Sequence, residues 1–415
     1  MVGSAMVGRA RVPGALAALV AITGLVTLAG CGQAAEAVQH TGQVRSVPPG
    51  QLDAGDVADA QTAFGLDLVH ALCSEPAGSQ DVLVSPTALA EVLGMLQPAA
   101  RGGTATALAD LLHEPLWSDD LVAAQREHTT ALTSLSSTEE GRDTLEMSNR
   151  LWTALGVAPE QEYLDDVATA FDASVWEVDL AGDPDGATRR INDSVRDDTH
   201  GLIPTLFDQP LSPDIRVVLT DALYLDATWT TPFTETVDAP FHTADGDVTV
   251  PLMLGGEGAI AEADGWQRAE LDYVDGTMAA IVVLPPDGVD PCAVSADVLA
   301  GLEQAEDVPG DVAMPRLHRE QTHQLLATLT DMGLPADGDW SGLGEDLVVS
   351  QVVLKVLLDV DEEGTTAAAA AGAGMAGSAP GERPSLVVDR PYLLVLTDTA
   401  TRSPLFVAVI QDASA

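Results

Sequence analysis

The side chains able to do chemistry are thinly spread along this chain. His318 and His323 are five residues apart. On a helix that spacing sets them on different faces, wrong for a shared zinc, and they read as surface histidines. Asp183-Pro184-Asp185-Gly186 has two acids of a calcium loop. The first ligand position falls on Ala181 and the last on Asn192 in place of Glu, so that motif fails. No Gly-x-Ser-x-Gly elbow, phosphate-binding glycine loop or His-Glu-x-x-His occurs. With no nucleophile, base and oxyanion site together, the chain does not read as an enzyme, and no cofactor or metal is assigned. What stands out instead is a stretch nearly without side chains, residues 360–385, VDEEGTTAAAAAGAGMAGSAPGERPS.

The surroundings of that stretch are strands. Leu347 to Val360 is a long β-type run before it; Ser385 to Val388, Tyr392 to Thr397 and Leu405 to Ile410 follow. Arg216 to Leu225 and Met278 to Leu284 are further aliphatic runs. Helical spacing marks Ala60 to Cys73, Ser85 to Leu96 with Ser85 as cap and Pro86 in the first turn, Tyr163 to Phe171, and Ala187 to Thr199. It also marks Gln321 to Met332, ended by Gly333. Helices dominate early and strands late, which predicts an α+β single domain. A loop of more than twenty residues inside such a domain is uncommon and usually functional.

This loop is suited to becoming a strand. If Thr365 to Ala373 entered a sheet, Thr365, Ala367, Ala369, Ala371 and Ala373 would share one face, small enough to fit between existing neighbours. Thr365 to Met375 carries no charge and no proline, so no buried ion or missing ladder donor opposes entry. Gly364 supplies a pivot. Alanine is a poor strand former, so entry must draw on new ladder bonds and burial.

The 415 residues are 46 % hydrophobic but only 4 % aromatic, so the core must be built mostly of Ala, Val and Leu. The net charge of -46 repels nucleic acid and anionic headgroups and reads as a solvated acidic surface. Lys355 is the only lysine. Arg9 and Arg11 precede an apolar run from Val12 to Thr27, the pattern of a secretion signal. Its ending, Leu28-Ala29-Gly30-Cys31, resembles the bacterial lipoprotein box. That resemblance implies cleavage before Cys31, lipidation of its thiol, and anchoring on the outer face of the cell membrane. Residues 1–30 are then a signal peptide, 31–55 a small, polar, flexible tether, and 56–415 the domain. Outside the cytoplasm Cys73 and Cys292 can bridge or remain two buried thiols; spacing leaves both open.

The segment VDEEGTTAAAAA resembles the hinge of the serpins, inhibitors of serine proteases. Other segments follow in that family's order: VLVSPTALAEVLGMLQPAARGGTATAL, SNRLW with INDSVRDDTHGLIPTLF, LTDALYLDATWTTPF, VAMPRL, and RPYLLVLTDTATRSPLFVAVI. The resemblance covers nearly all of residues 56 to 412. It implies a fold of three β-sheets with eight to nine helices and an exposed reactive loop. The hinge would be Glu362, Glu363, Gly364, Thr365, Thr366, Ala367, Ala368, Ala369, Ala370 and Ala371, with Trp229 and Arg316 at the sheet opening and Glu362 paired to Arg316. In serpins a cluster of Ser, Asn and His steadies the central sheet. The matching positions here are Ser85, Ala88, Asp221 and Leu354, of which only Ser85 fits, and a lone buried Asp221 is costly unless hydrogen-bonded.

The resemblance further implies a suicide inhibitor. A target serine protease attacks the loop and forms a covalent acyl complex, and loop insertion then distorts its active site. Family spacing from Gly364 places the cut between Ser378 and Ala379, with Met375–Ala376 as rival; the small residues around it suit elastase-like or subtilisin-like enzymes. The expected partner is that protease, bound by a monomer. One alternative is a serpin that has lost inhibition and serves as a binding or structural module, against which the small hinge argues. A lipid-anchored solute-binding protein, from another class, would show two alternating α/β lobes.

Overall fold

The computed structural model describes residues 37–74, 80–136, 143–157, 159–365 and 383–414. Cys31 and the signal segment lie outside the described residues, as do residues 366–382 of the loop.

In chain order the first half holds β1 (Val38–His40), α1 (Ala54–Cys73), β2 (Val82–Val84), α2 (Pro86–Gly94), α3 (Gly102–Leu111), α4 (Asp119–Thr133), β3 (Thr144–Met147), β4 (Arg150–Ala154), α5 (Gln161–Phe171), β5 (Val175–Val178) and α6 (Pro184–Asp198). Then come β6 (Val217–Thr228), β7 (Glu235–Thr243), β8 (Gly246–Ala263), β9 (Trp266–Asp272), β10 (Met278–Leu284), α7 (Ala296–Gln304), β11 (Val308–Pro315), β12 (Leu317–Gln324) and α8 (Leu326–Met332). The last elements are β13 (Val349–Val360), β14 (Gly364–Thr365), β15 (Ser385–Val387), β16 (Tyr392–Asp398) and β17 (Pro404–Ile410). Helices early and strands late make the α+β arrangement that the sequence predicts, with eight α-helices among the described residues.

The strands form two hydrogen-bonded networks. An eight-stranded sheet runs β1-β5-β4-β6-β14-β13-β12, with β3 also on β6; a nine-stranded one runs β15-β11-β8-β9-β10-β16-β17-β2, with β7 on β8. Three sheets are expected, and the third is the β7, β8, β11 and β15 end of the second network. It is fused to the rest because β8 pairs with β7 from Gly246 to Leu254, with β11 from Leu252 to Ile260 and with β9 from Ala259 to Ala263. Gly255, at a φ of 87° that favours glycine, sits in β8 where its pairing with β11 slips register between Val312 and Met314.

Local signals account for the helices that position the central sheet. Asp53 and Asp56 close a capping box at the start of α1. Ser85 accepts the Ala88 amide at the start of α2 and donates to Leu405 O at 2.8 Å, tying that helix to β17. Asp183 caps α6 by accepting from Gly186 N, with Pro184 in its first turn. α2 packs against both β6 and β17 in the main apolar core. α6 covers the other face of the eight-stranded sheet, where Ile191 and Val195 meet Trp152, Val178, Val218, Ala222 and Val353.

Three expectations change. Residues 37–53 are not a free tether: β1 pairs antiparallel with β5, and the following chain lies along α4 and α5. Gln43 N donates to Asp165 (2.7 Å), Arg45 bridges Asp119 and Asp166, and Asp120 accepts from Gln51 N. Side chains of the body thus bind the backbone of a segment with few apolar residues of its own. Next, Gln321 to Gln324 belongs to β12, and the helix starts only at Leu326. Finally, His323 is no surface histidine. Its Nε2 lies 2.9 Å from Leu83 O while Gln321 accepts from Leu83 N, so these two side chains join the edge of one sheet to the edge of the other.

Cys73 and Cys292 form a disulfide that joins the end of α1 to the segment before α7, closing 219 residues of chain. Closing so long a loop removes much of the unfolded chain's freedom. Replacing both cysteines by alanine should lower stability by about 2–4 kcal/mol, read as a drop of several degrees in the thermal midpoint. An unchanged midpoint would contradict this.

Candidate functional site

The loop base is built around Trp229, which follows the last residue of β6 and is almost fully buried. Its ring stacks on Tyr273 with centroids 4.5 Å apart and 11° between planes. Its Nε1 donates to Asp361 O (2.9 Å), and its backbone N donates to Glu363 O (2.8 Å). Phe233 N donates to Glu362 O at 2.9 Å. The segment leaving β13 is therefore fastened to the chain leaving β6 by three donors. Asp361 turns it, its carboxylate accepting from the amides of Glu363 (2.8 Å) and Gly364 (3.2 Å).

The chain then enters the sheet. Gly364 and Thr365 form β14, a two-residue wedge between the ends of β6 and β13, with Gly364 opposite Thr228, Thr365 opposite Ala227, and Val360 opposite Thr365. Glycine is required at 364 by contact, since a Cβ there would strike the carbonyl of Ala227. Thr365 is buried, and its Oγ1 lies 2.5 Å from Tyr273 Oη. Burial raises the Tyr273 hydroxyl far above its ordinary value, with the Thr365 hydrogen bond opposing, so it stays neutral. Arg316 donates to Glu362, as does the Thr236 hydroxyl. Partial burial would raise the Glu362 carboxyl, but these two hydrogen bonds outweigh it and hold it below the ordinary value. Glu362 is 23 % and Arg316 48 % exposed in their side chains, so the pair positions the turn and adds little stability.

The far end of the loop is held separately. Arg383 donates to Glu257 (2.6 Å), Asp311 N donates to Pro384 O (2.9 Å), and β15 pairs parallel with β11. A cleft of about 240 Å³ lies between the two ends, lined by Trp229, Thr230, Gly258, Pro309 and Arg383 among others.

Below the wedge the sheet is shut. β6 and β13 pair with each other, parallel, from Val217 to Ala222 against Val349 to Lys355. Asp221 lies in this seam opposite Leu354, 1 % exposed, and neither carboxylate oxygen has a hydrogen bond. The family's steadying cluster is thus absent from its matching positions: Ala88 and Leu354 are carbon, and Ser85 is committed to its cap and to Leu405 O.

Of the residues singled out in the sequence, the structure brings together Trp229, Arg316, Glu362, Glu363, Gly364 and Thr365. Thr366, Ala367, Ala368, Ala369, Ala370, Ala371, Ser378, Ala379 and Cys31 lie outside the described residues. Sequence reasoning missed Tyr273, Asp361, Thr236 and Asp143. Asp143 accepts from the amides of Thr228 (3.0 Å) and Asp275 (2.9 Å) and so holds the end of β6 beside the Tyr273 turn. Only Asp361 carried a local signal, an acid placed to turn the chain two residues on.

Gly364→Ala should expel the wedge and free the donors fastened to it. Hydrogen exchange at 226–233 and 361–365 should then rise at least tenfold, as expected when about 1.4 kcal/mol or more of protection is lost. Unchanged protection would show that the wedge is not held by this contact.

Comparison with known proteins agrees with this geometry. The family model described as Serpin (serine protease inhibitor) matches residues 59–412. An uncharacterized serpin-like protein of Thermococcus kodakarensis is 32 % identical over 84 % of this chain and 84 % of its own. Iripin-1 of Ixodes ricinus is 30 % identical over 85 % of this chain and 94 % of its own. Among solved structures, the native state of tengpin, a thermophilic serpin, superposes with a TM-score of 0.78 at 19 % identity, covering 89 % of this chain and 97 % of that one. Human thyroxine-binding globulin, solved with its hormone, gives a TM-score of 0.75 at 25 % identity, covering 87 % and 100 %. On a match of this extent, the chain belongs to the serpin family of serine protease inhibitors.

Proposed function

We propose that this chain inhibits serine proteases as a suicide substrate. The protease serine attacks the carbonyl of Ser378; the bond to Ala379 breaks, its nitrogen leaves as the new amino terminus, and an ester joins inhibitor to enzyme. The freed arm enters the sheet between β6 and β13 and carries the enzyme with it before water can cleave the ester. Distortion of the trapped active site then holds the complex. The inhibitor supplies no catalytic group.

The observation that carries this reading is the wedge at Gly364–Thr365. It sets both the starting point and the register of an added strand. At that register Thr365 to Met375 would run beside β6 from Ala227 to Val217, and Ala371 would stand between Asp221 and Leu354. The run free of charge and proline, Gly364 to Ala379, thus spans the whole length of strand it must accompany. Entry exchanges one parallel β6–β13 ladder for two antiparallel ones, which offsets the weak strand preference of alanine. Ser378 would come to rest beyond the start of β6, at the far end of the sheet from the hinge.

The bait, Met375-Ala-Gly-Ser-Ala-Pro380, suits elastase-like or subtilisin-like enzymes with shallow pockets, with Met375–Ala376 as the rival bond. Export and a lipid on Cys31 complete the reading. Residues 37–53 are laid along the body, so about six residues, or roughly 20 Å of extended chain, would separate lipid from domain. The domain would then work close to the membrane surface.

Mixing the mature domain with elastase or subtilisin should give a complex that survives SDS, and sequencing the released fragment should begin at Ala379. Ala369→Arg should leave the fold intact yet turn inhibitor into substrate. A charge on the inward face blocks burial, so the covalent band should fall at least tenfold while cleavage continues. If the variant traps protease as the parent does, insertion is not the mechanism.

A further inference from the structure

Asp221 is the one member of the seam for which the inhibitory reading gives no use. It faces the core from β6, beside Leu354 of β13 and toward α2. Behind it lies Glu91 of α2, 6 % exposed, whose Oε2 accepts from Asn149 Nδ2 at 2.9 Å and whose Oε1 has no hydrogen bond. Among the described residues no cation answers the two acids. His128 of α4 stands 3.8 Å from Glu91, but burial lowers its value to about 4 and keeps it neutral, with Nε2 2.8 Å from Ser403 Oγ. Asp398, the last residue of β16, is bound by the amides of Ala400 and Thr401. Arg150 of β4 is committed to Asp198 at 2.7 Å. From β13 the neighbour is carbon.

We propose that Asp221 is a proton-operated latch on the β6–β13 seam: with its carboxyl protonated the seam stays shut, and release of that proton to water favours parting of the strands. Asp221 holds its proton in the closed sheet because a bare carboxylate there has no donor and no counter-ion, whereas strands that part admit water to it. Burial first, and the charge of Glu91 second, raise its value well above the ordinary one while the seam is shut. Glu91 is itself raised to about 7 by burial, against the Asn149 hydrogen bond. Glu91 also lines a cleft of about 440 Å³ that opens between Thr129, Met147, Arg150 and Phe171, whereas Asp221 does not.

The sign follows from which state holds the proton more tightly. Below about pH 4 both closed and parted sheets are protonated at Asp221, and pH has no effect. Above that, the parted state loses its proton first. Each further pH unit then favours parting by up to about tenfold, until the closed state ionises as well. Closure is therefore strongest in acid and is lost as pH rises through the raised value. The latch rests on the insertion reading but needs no protease.

The test uses the intact native protein and a synthetic peptide of residues 365–378, TTAAAAAGAGMAGS. Its entry into the sheet is timed by the gain in thermal stability, from about pH 4 to about pH 9. The rate should climb with pH by up to about tenfold per unit and then level. Asp221→Asn should flatten the profile, and Glu91→Gln should make the rise level off at lower pH, because the charge Glu91 gains above about pH 7 adds to what keeps Asp221 protonated in the closed sheet. A flat profile in the parent, or an undiminished rise in Asp221→Asn, overturns the latch. Should Asp221→Asn not fold, an unmoved levelling point in Glu91→Gln overturns it equally. A peptide that enters at no pH overturns the insertion reading, and the latch with it.

Discussion

The structure turns on a seam that is only partly sewn. β6 and β13 are the two longest strands of the eight-stranded sheet, yet they pair with each other only from Val217 to Ala222 and Val349 to Lys355. Above that the wedge of Gly364 and Thr365 holds them apart. On the proposed mechanism, two long strands sharing half a ladder, with a third strand already begun between them, have a lower state available if the third can continue. The rest of the molecule either keeps that state from forming or fixes what can form it. The Trp229–Tyr273 stack, the turn at Asp361 and the Asp143 clasp set where the wedge starts. The far end of the loop is held separately, by Arg383 on Glu257 and by Asp311 N on Pro384 O.

Charge is distributed to the same end. Against 64 acids the chain has 18 basic residues, and several stand where segments must be joined. Arg316 meets the hinge acid Glu362, Arg383 anchors the returning loop, Arg150 links β4 to α6 through Asp198, and Arg319 is buried against Asp81. None of the described ones is spent on Asp221. The seam's one carboxyl is left to a proton, which leaves no ion pair to break when the strands part but makes closure depend on pH.

The hinge stood out in the sequence because its proposed requirement is negative, and of it the structure describes Glu362 to Thr365. A strand that must slip into a finished sheet can have no charge, no proline and no bulk, and an absence of that kind shows plainly in one dimension. The aliphatic strands of the second half were legible for the opposite reason, being buried on both faces. β12 was not. Its inward residues are Leu317, Arg319, Gln321 and His323, so polar groups stand where a period-two signal needs apolar ones, and Gln321 and His323 earn burial by bonding the backbone of β2. Residues 37–53 were misread for a related reason, since they are held by carboxylates of other elements. Asp221 was visible as a problem but not as an answer: that Glu91 stands behind it depends on how α2 packs on β6. The Tyr273 partner of Thr365 lies 92 residues away in sequence and carries no motif.

The most direct test of the account is a crystal structure of the chain after its loop has been clipped by the protease it bait-matches. The account predicts a new strand from Thr365 to Met375 filling the gap between β6 and β13, antiparallel to both, with Ala371 between Asp221 and Leu354. A clipped molecule in which Val217–Ala222 still pairs directly with Val349–Lys355 would contradict it.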